Sequence, residues 1–353
     1  MEMKKIVVTG GAGFIGSHVA EYYATRGLQV TVVDNMSRAR LLGLGDGREL
    51  DNASYLESLP NVEVLRADVR DFDTMCRLVS DTDAIVHAAA QTAVTTSMVD
   101  PLEDFSVNAQ GTICVLEAAR RTGRLPAVVF TSTNKVYGKR VNGLGVTEVG
   151  ESRYAFHGRY ARGVPEVLGV DLCEHTPYGC SKLSGDLYAQ DYALLYGLKV
   201  GVFRMSCIYG PRQFGLEDQG WLAWFVIAAC LGRPITLYGD GRQVRDVLYV
   251  TDLVRAFDAF IQSSERFGVF NTGGGPDNTL SLLELLQLIS EMTGKSPEVR
   301  FAEWRPSDQK VYVSDITKLR DTLKWRPKVG IREGLSHVID WVAANKDRLA
   351  ELI

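Results

Sequence analysis

The chain has 353 residues, enough for one large core and a smaller lobe, and its 46% hydrophobic and 23% charged residues are the balance of a globular protein. Lysine and arginine number 39 against 43 aspartate and glutamate, a net charge of −4, which gives no electrostatic reason to expect nucleic acid or an anionic membrane as partner. The first residues, Met1-Glu2-Met3-Lys4-Lys5, run into a strand and not into a signal peptide's apolar region, and the longest apolar run, 221–231, is too short to span a bilayer.

Residues 5–9 read as a β-branched strand ending in Gly10-Gly11, and 14–26 have helical spacing up to Gly27. Further strands are expected at 29–33, 61–66, 84–87, 127–132 and 199–204, with helical stretches at 72–78, 108–122 and 178–196. Alternation of this kind predicts an α/β fold, a doubly wound parallel sheet of Rossmann type with a second, smaller α/β lobe. The expected boundaries are 1–205 for the dinucleotide-binding domain, completed by 247–272, and 206–246 with 273–353 for the lobe. Beyond Arg204, glycine-rich breaks cut the chain into shorter units, among which 221–231 reads as a buried helix and 252–263 and 282–293 as amphipathic ones. The stretch 142–176 has no clear period, so it is expected to cover a site or to lack local order. Six cysteines, at 76, 114, 173, 180, 207 and 230, form no CxxC pair and read as reduced thiols of a cytoplasmic protein.

The chemistry begins at Thr9-Gly10-Gly11-Ala12-Gly13-Phe14-Ile15-Gly16. Gly10, Gly13 and Gly16 let the backbone turn and approach a pyrophosphate, while Phe14 and Ile15 open a helix whose free N–H groups face that anion. A glycine triplet alone is weak evidence, but this one follows a strand and opens a helix. Asp34 closes the next strand, where a carboxylate accepts bonds from both ribose hydroxyls and repels a 2′-phosphate, which favours NAD over NADP; Arg38 and Arg40 nearby argue the other way. Tyr178 and Lys182, four apart, share one helix face, so an ammonium one turn away is expected to favour the phenolate. The run Phe130-Thr131-Ser132-Thr133 ends a strand, with hydroxyls expected to face the cofactor cleft. Two arginines, Arg245 and Arg305, suit a diphosphate, since a guanidinium grips phosphate oxygens through two donors at once; the competing reading of each is an ordinary ion pair.

Over nearly its whole length the sequence resembles the extended short-chain dehydrogenase/reductases, the NAD-dependent epimerase/dehydratase family. The matching motifs are the glycine loop, Asp34-Asn35-Met36-Ser37, Asp68-Val69, His87-Ala88-Ala89-Ala90, 131–138, Tyr178-x-x-x-Lys182 and 209–213. The resemblance implies a catalytic set of Thr133, Tyr178 and Lys182. It implies a cofactor site that takes in Asn35, Ser37, Arg38 and Ser132, with Asp68 and Val69 at the adenine and Ala88, Ala89, Ala90 and Gln91 on the nicotinamide side. Asn108 is expected to brace the active-site helix. Thr95, Thr96 and Ser97 are candidates for hydroxyl contacts to a sugar, together with Asn134 and Gln213, while Gln219 and Trp221 are candidates to close over it. The family's usual asparagine after Arg204 is replaced by Cys207, with Ser206 beside it, and both stand as candidate substrate contacts.

Dehydratases of the family carry an Asp-Glu pair directly after the catalytic threonine, and Asn134-Lys135 cannot act as that acid and base. Within the epimerases, 132–138, 175–182, 212–214, Asp218-Gln219-Gly220-Trp221 and 243–248 resemble the subgroup that acts at C2 of CDP-linked sugars. The implied reaction is inversion at C2 of a CDP-hexose, CDP-paratose and CDP-tyvelose or CDP-glucose and CDP-mannose, by transient oxidation to a 2-keto sugar with bound NAD. A UDP-sugar 4-epimerase (UDP-glucose or UDP-glucuronate) shares every cofactor residue, and a non-catalytic NAD-binding sensor is the rival from another class. The family further implies a homodimer through the helices 108–122 and 178–196. No metal site is expected.

Overall fold

A computed structural model describes residues 3–38, 51–305 and 308–352. Seven strands form one parallel sheet: β1 (Lys5–Thr9), β2 (Gln29–Asp34), β3 (Val62–Arg66), β4 (Ala84–His87), β5 (Ala127–Thr133), β6 (Val200–Met205) and β7 (Phe267–Thr272). Their spatial order is β7-β6-β5-β4-β1-β2-β3. The order reverses beside β1, and in such sheets ligands bind outside the carboxyl ends of the strands at the reversal. The register places Thr9 against Val33 and His87, and His87 against Phe130. Gly10, Asp34, Ala88 and Thr131 therefore leave the sheet along one edge. The expected α/β doubly wound sheet is the fold found. Ile6, Val7, Val8, Val32, Ile85, Val86, Val128 and Val129 are buried, as strands covered on both faces must be.

By their contacts the residues fall into two compact units, Met1–Thr133 with Pro177–Arg204 and Val254–Phe270, and Asn134–Thr176 with Met205–Leu253 and Asn271–Ile353. Residues 134–176, which chain order puts in the first domain, thus pack with the second unit.

In the first unit the helix Phe14–Ala24 follows β1, and Asp71 caps Phe72–Val79 by accepting from Thr74 N at 3.1 Å. The helix expected at 108–122 begins earlier. Val94–Val99 and Pro101–Phe105 lead into a widened π-turn, Ser106–Gln110, which continues as Gly111–Arg121. The π-turn carries Asn108. The long helix Pro177–Tyr196 starts on a proline, whose missing N–H costs nothing at a helix N-terminus.

In the second unit Val244–Tyr249 pairs in parallel with Cys207–Tyr209 and Val311–Tyr312 and antiparallel with Thr279–Ser281. Ile235–Tyr238 pairs with Val299–Ala302. The helix Trp221–Leu231 is found as expected, buried from Leu222 to Ala229. Ser281 and Glu284 form a capping box at the head of Leu282–Thr293. The aperiodic stretch 142–176 is ordered. It holds the hairpin Val146–Val149 with Arg153–Phe156, a bridge from Val164 to Ser314, and Glu166 accepting Asn271 N at 2.8 Å. Four-residue strands are too short for alternation to show in the sequence. No helix among the described residues is long and apolar enough to cross a membrane.

Candidate active site

The glycine loop is a close-packed turn. Gly13 N donates to Gly10 O at 3.1 Å, and Gly10 lies at φ +65°, a left-handed conformation that favours glycine. A Cβ on Gly10 would stand 2.6 Å from Ala89 N, and one on Gly16 would stand 2.2 Å from Gly10 O. The loop is bare backbone with the helix Phe14–Ala24 behind it, a cradle fit for a pyrophosphate. Asp34 braces it: one carboxylate oxygen accepts Ala12 N at 3.1 Å and the other Met36 N at 2.9 Å. Burial holds Asp34 above the usual carboxylate range, against the pull of the Met36, Ala12 and Gly13 amides. Overpacking a tight turn costs about 1–3 kcal/mol. Gly16→Ala is therefore expected to come off the column folded by circular dichroism but stripped of dinucleotide, read as nucleotide released on heat denaturation. Wild-type NAD content in that variant would contradict the cradle.

Around the loop, Asn35 Nδ2 donates to Asp68 Oδ2 at 3.0 Å, and Asn35 Oδ1 accepts Ser37 N at 3.0 Å. Arg70 clamps Asp68 through Nε at 2.9 Å and Nη2 at 2.7 Å, and these bonds hold Asp68 down at about 2. The Val69 side chain belongs to the core, packed over Gly111, so only its backbone is left for an adenine. Burial lowers Arg38 below its ordinary range. Arg40 lies outside the described residues.

Tyr178 and Lys182 sit on the first turns of Pro177–Tyr196, both buried, and Thr133 at the end of β5 hydrogen-bonds the Tyr178 phenol. Thr133, Tyr178 and Lys182 are thus brought together in one unit. The electrostatics differ from the sequence expectation. Burial pushes Tyr178 up to about 12, the Thr133 bond lowers it and the Asp104 carboxylate raises it. The loss of water around the ring dominates, and the influences set against it do not include the Lys182 ammonium. Lys182, its Nζ 4.5 Å from the Phe130 ring centroid, is drawn down to about 8 by burial, with Asp186 and Asp104 acting upward. Beneath them His87 is held at about 3 by burial and by Lys182, so it is neutral, bonded to Thr9 at 2.7 Å and Thr112 at 3.0 Å.

Two hydroxyls assigned to ligands are spent on the protein. Ser132 Oγ donates to the buried Asp186 at 2.5 Å, because side chains alternate along β5 and only Thr131 and Thr133 share a face. Ser97 is fully buried, donates to Val94 O at 2.7 Å and accepts Tyr178 N at 3.2 Å, so it props the helix of Tyr178 and has no surface to offer a sugar. Thr95 and Thr96 lie partly buried on the same short helix. Asn108 accepts Gln91 N at 2.9 Å and donates to Gln91 O at 3.0 Å and Ser181 Oγ at 3.0 Å. This ties the strand-end loop of Ala88, Ala89, Ala90 and Gln91 to the helix of Tyr178.

In the second unit, Asn134 is buried, and Cys207 Sγ accepts Trp221 Nε1 at 3.2 Å. Ser206 Oγ donates to the Asp246 carboxylate, and Gln213 Nε2 donates to Ile208 O at 3.3 Å. Gln219 closes a tight turn with Leu216. Arg245 pairs with Asp308 at 2.7 Å and Arg305 with Asp218 at 2.8 Å, the latter guanidinium lying 4.0 Å over the Tyr238 ring. Both arginines are in ion pairs, so a diphosphate would have to compete with or join those carboxylates. Sequence reasoning used Lys135 only to set aside dehydration and did not place it near Arg245, Asp308 and Cys207, where it lies partly buried; it passed over Asp104, whose only signal was its place four residues before Asn108.

A dinucleotide cradle at the reversal of a parallel sheet, joined to a threonine–tyrosine–lysine set at the end of β5, defines an NAD-dependent enzyme on a Rossmann-like fold. The chain belongs to the NAD dependent epimerase/dehydratase family, whose model matches residues 6–273. It is 38% identical to CDP-paratose 2-epimerase of Salmonella typhi over 96% of this chain and 99% of that protein. Among solved structures, UDP-glucose 4-epimerase of Thermus thermophilus in complex with NAD is 34% identical, with a TM-score of 0.77 over 96% of this chain and 99% of the other. UDP-glucuronic acid 4-epimerase of Bacillus cereus, in complex with UDP-glucuronic acid and NAD, is 27% identical, with a TM-score of 0.78 over 96% and 99%. The chain is accordingly an enzyme of the nucleotide-sugar epimerase class, with NAD as its cofactor.

Proposed function

We propose that the enzyme inverts C2 of a CDP-linked hexose, CDP-paratose and CDP-tyvelose first among them. The full-length 38% identity to a CDP-paratose 2-epimerase carries this reading. Asn134-Lys135 after Thr133 supports it, because neither residue supplies the acid–base pair that loss of water requires.

In this reading Gly10, Gly13, Gly16 and Asp34 hold NAD at its pyrophosphate and adenosine ribose, and Ala88 to Gln91 flank its nicotinamide. Bound NAD supplies a reversible hydride acceptor. Thr133 holds the sugar hydroxyl against Tyr178, and the Tyr178 oxygen takes that hydroxyl's proton as the carbinol is oxidised to a ketone. Once the sugar has presented its other face, Tyr178 returns the proton to the same oxygen. The cycle is neutral in electrons and protons, so no second substrate is needed. Lys182 supplies the positive charge that a buried phenolate needs. Arg245 and Arg305 hold the diphosphate while the sugar turns.

The test is a panel of CDP-paratose, CDP-glucose, UDP-glucose and UDP-glucuronate, incubated without added cofactor and read by product NMR. Inversion at C2 of a CDP-sugar is expected. A higher kcat/KM for UDP-glucose to UDP-galactose would instead establish 4-epimerisation, the second reading, which the 34% identity to a UDP-glucose 4-epimerase favours.

We also infer a homodimer through the two helical stretches 108–122 and 178–196, supported by the exposed Leu187, Tyr188, Leu194, Leu195 and Tyr196 along the second. Six free cysteines support a place in the cytoplasm.

A further inference from the structure

Asp104 lies on the short helix Pro101–Phe105, only 1% exposed, in the network that joins the loop after β4 to the catalytic helix. Its carboxylate accepts three hydrogen bonds: from Ser181 Oγ to Oδ2 at 2.5 Å, from Gln91 Nε2 to Oδ1 at 2.8 Å and from Asn108 Nδ2 to Oδ1 at 3.1 Å. All three donors are neutral. Ser181 stands between Tyr178 and Lys182 on the helix, and its Oγ, whose one proton goes to Asp104 by the shorter contact, lies 3.1 Å from Tyr178 O. A buried anion held by neutral donors is costly unless a cation shares its surroundings.

The buried cation in the same stretch is Lys182, the residue after Ser181, whose Oγ bonds Asp104. Two carboxylates act on its ammonium, Asp186 and Asp104. Asp186 is already matched, since Arg204 grips it through Nε at 3.0 Å and Nη2 at 3.0 Å. The other titratable group beneath Lys182, His87, is neutral. On the outer side of the helix Pro101–Phe105, Glu103 is paired with Arg70 at 2.8 Å, and Asp100 is occupied in capping Glu103 N at 3.0 Å. Among the described residues, Asp104 has no cation bonded to it: burial raises its carboxyl above the usual range, and Ser181, Gln91 and Lys182 act to lower it.

We propose that Asp104 is a positioning residue for the Tyr178–Lys182 pair, fixing its geometry through Ser181 and setting the pH range in which it works as the counter-charge of Lys182. The inference rests on the reading of Tyr178 and Lys182 as the acid–base pair. The sign follows from charge. An anion near two proton-binding groups favours the protonated form of both, so removing it lets both lose protons at lower pH. The two limbs of a kcat–pH profile belong to the coupled pair and not to either residue alone. Both limbs therefore move down together when the anion is removed.

The experiment compares kcat–pH profiles of the NAD-loaded wild type, Asp104→Asn, Asp104→Glu and Ser181→Ala, with bound NAD per subunit measured for each. Asp104→Asn is expected to shift the whole bell to lower pH by about one unit. Its maximum should drop about tenfold to a hundredfold, the scale of a misplacement transmitted to reacting groups. Asp104→Glu keeps the charge and should restore the position of the bell, and Ser181→Ala should lower kcat without moving it. If Asp104→Asn does not fold, Asp104→Ser, which keeps an oxygen for Ser181, is read in its place. A low but unshifted bell in the neutral variant would mean that Asp104 merely packs, and would overturn the inference. Tyr178→Phe, run alongside, separates the two failures: an unimpaired Tyr178→Phe removes the acid–base pair itself, whereas an unmoved Asp104→Asn profile removes only the role of Asp104.

Discussion

Tyr178→Phe is expected to lower kcat by about two to four decades, the share of a positioned acid–base group, while the protein stays folded and keeps its NAD. The ring is buried on the catalytic helix, and phenylalanine fills the same volume, so the packing that holds Lys182 beside Phe130 is unchanged. What disappears is one oxygen, the partner of Thr133 and, in the proposed reaction, the atom that takes the carbinol proton and returns it. Burial pushes that phenol up to about 12, so in the free protein at neutral pH it is protonated. It must become a base when positive charge gathers around it. Lys182 one turn away is the side chain that would supply such charge, and NAD, when bound, would add a cationic nicotinamide. Thr133→Ala should cost less, because it removes a hydrogen bond to the phenol and leaves the phenol in place. The measurement is kcat on the preferred sugar by NMR, beside dinucleotide released per subunit. A Tyr178→Phe enzyme as fast as wild type would take the phenol out of the chemistry.

The parts of this molecule that could be read from its residues are those whose signal is local. β1, β2, β4 and β5 are buried on both faces, so each shows as a short apolar run, and the glycines of 10–16 announce the turn after β1. Tyr178 and Lys182 are legible because helical spacing is fixed. The second unit was harder, since its strands are two to six residues long and pair with partners far along the chain, as Val247 does with Cys207. The errors came from the same source. Ser132 and Ser97 carry hydroxyls in promising places, but which face of β5 or of a short helix turns inward is decided by packing, and both hydroxyls were taken by buried neighbours. For Arg245 and Arg305 the residue type suggests a phosphate ligand, and only the fold shows that Asp308 and Asp218 stand beside them as partners a diphosphate would have to compete with or join. Asp104 was invisible because an aspartate beside Glu103 on a short helix looks solvated, and only the tertiary structure shows it sealed under Ser181.

Arg204→Met should be the most destabilising single change near the site, by about 3–5 kcal/mol, because it leaves a buried carboxylate without its cation. Asp186 is fully buried and Arg204 nearly so, and the pair is bidentate, with both bonds at 3.0 Å. Asp186 also accepts from Ser132 Oγ at 2.5 Å and Gln190 Nε2 at 2.6 Å, so it is the hub where β5, β6 and the catalytic helix meet. Methionine fills most of the volume of the arginine stem, which confines the loss to electrostatics. The remaining donors, a hydroxyl and an amide, are neutral and cannot offset a charge withdrawn from water. Replacing both partners, Arg204→Met with Asp186→Leu, should recover most of the stability, because no charge is then left unmatched. Activity should not return with it. Lys182 stands one turn before Asp186, and the double variant deprives its ammonium of a carboxylate that favours the charged form. Urea denaturation of the wild type, the single variant and the double variant, with kcat for each, separates the two roles. A single variant as stable as wild type would mean that the Arg204–Asp186 pair is better solvated than its burial indicates. A double variant that regained full activity would mean that Asp186 does nothing for Lys182.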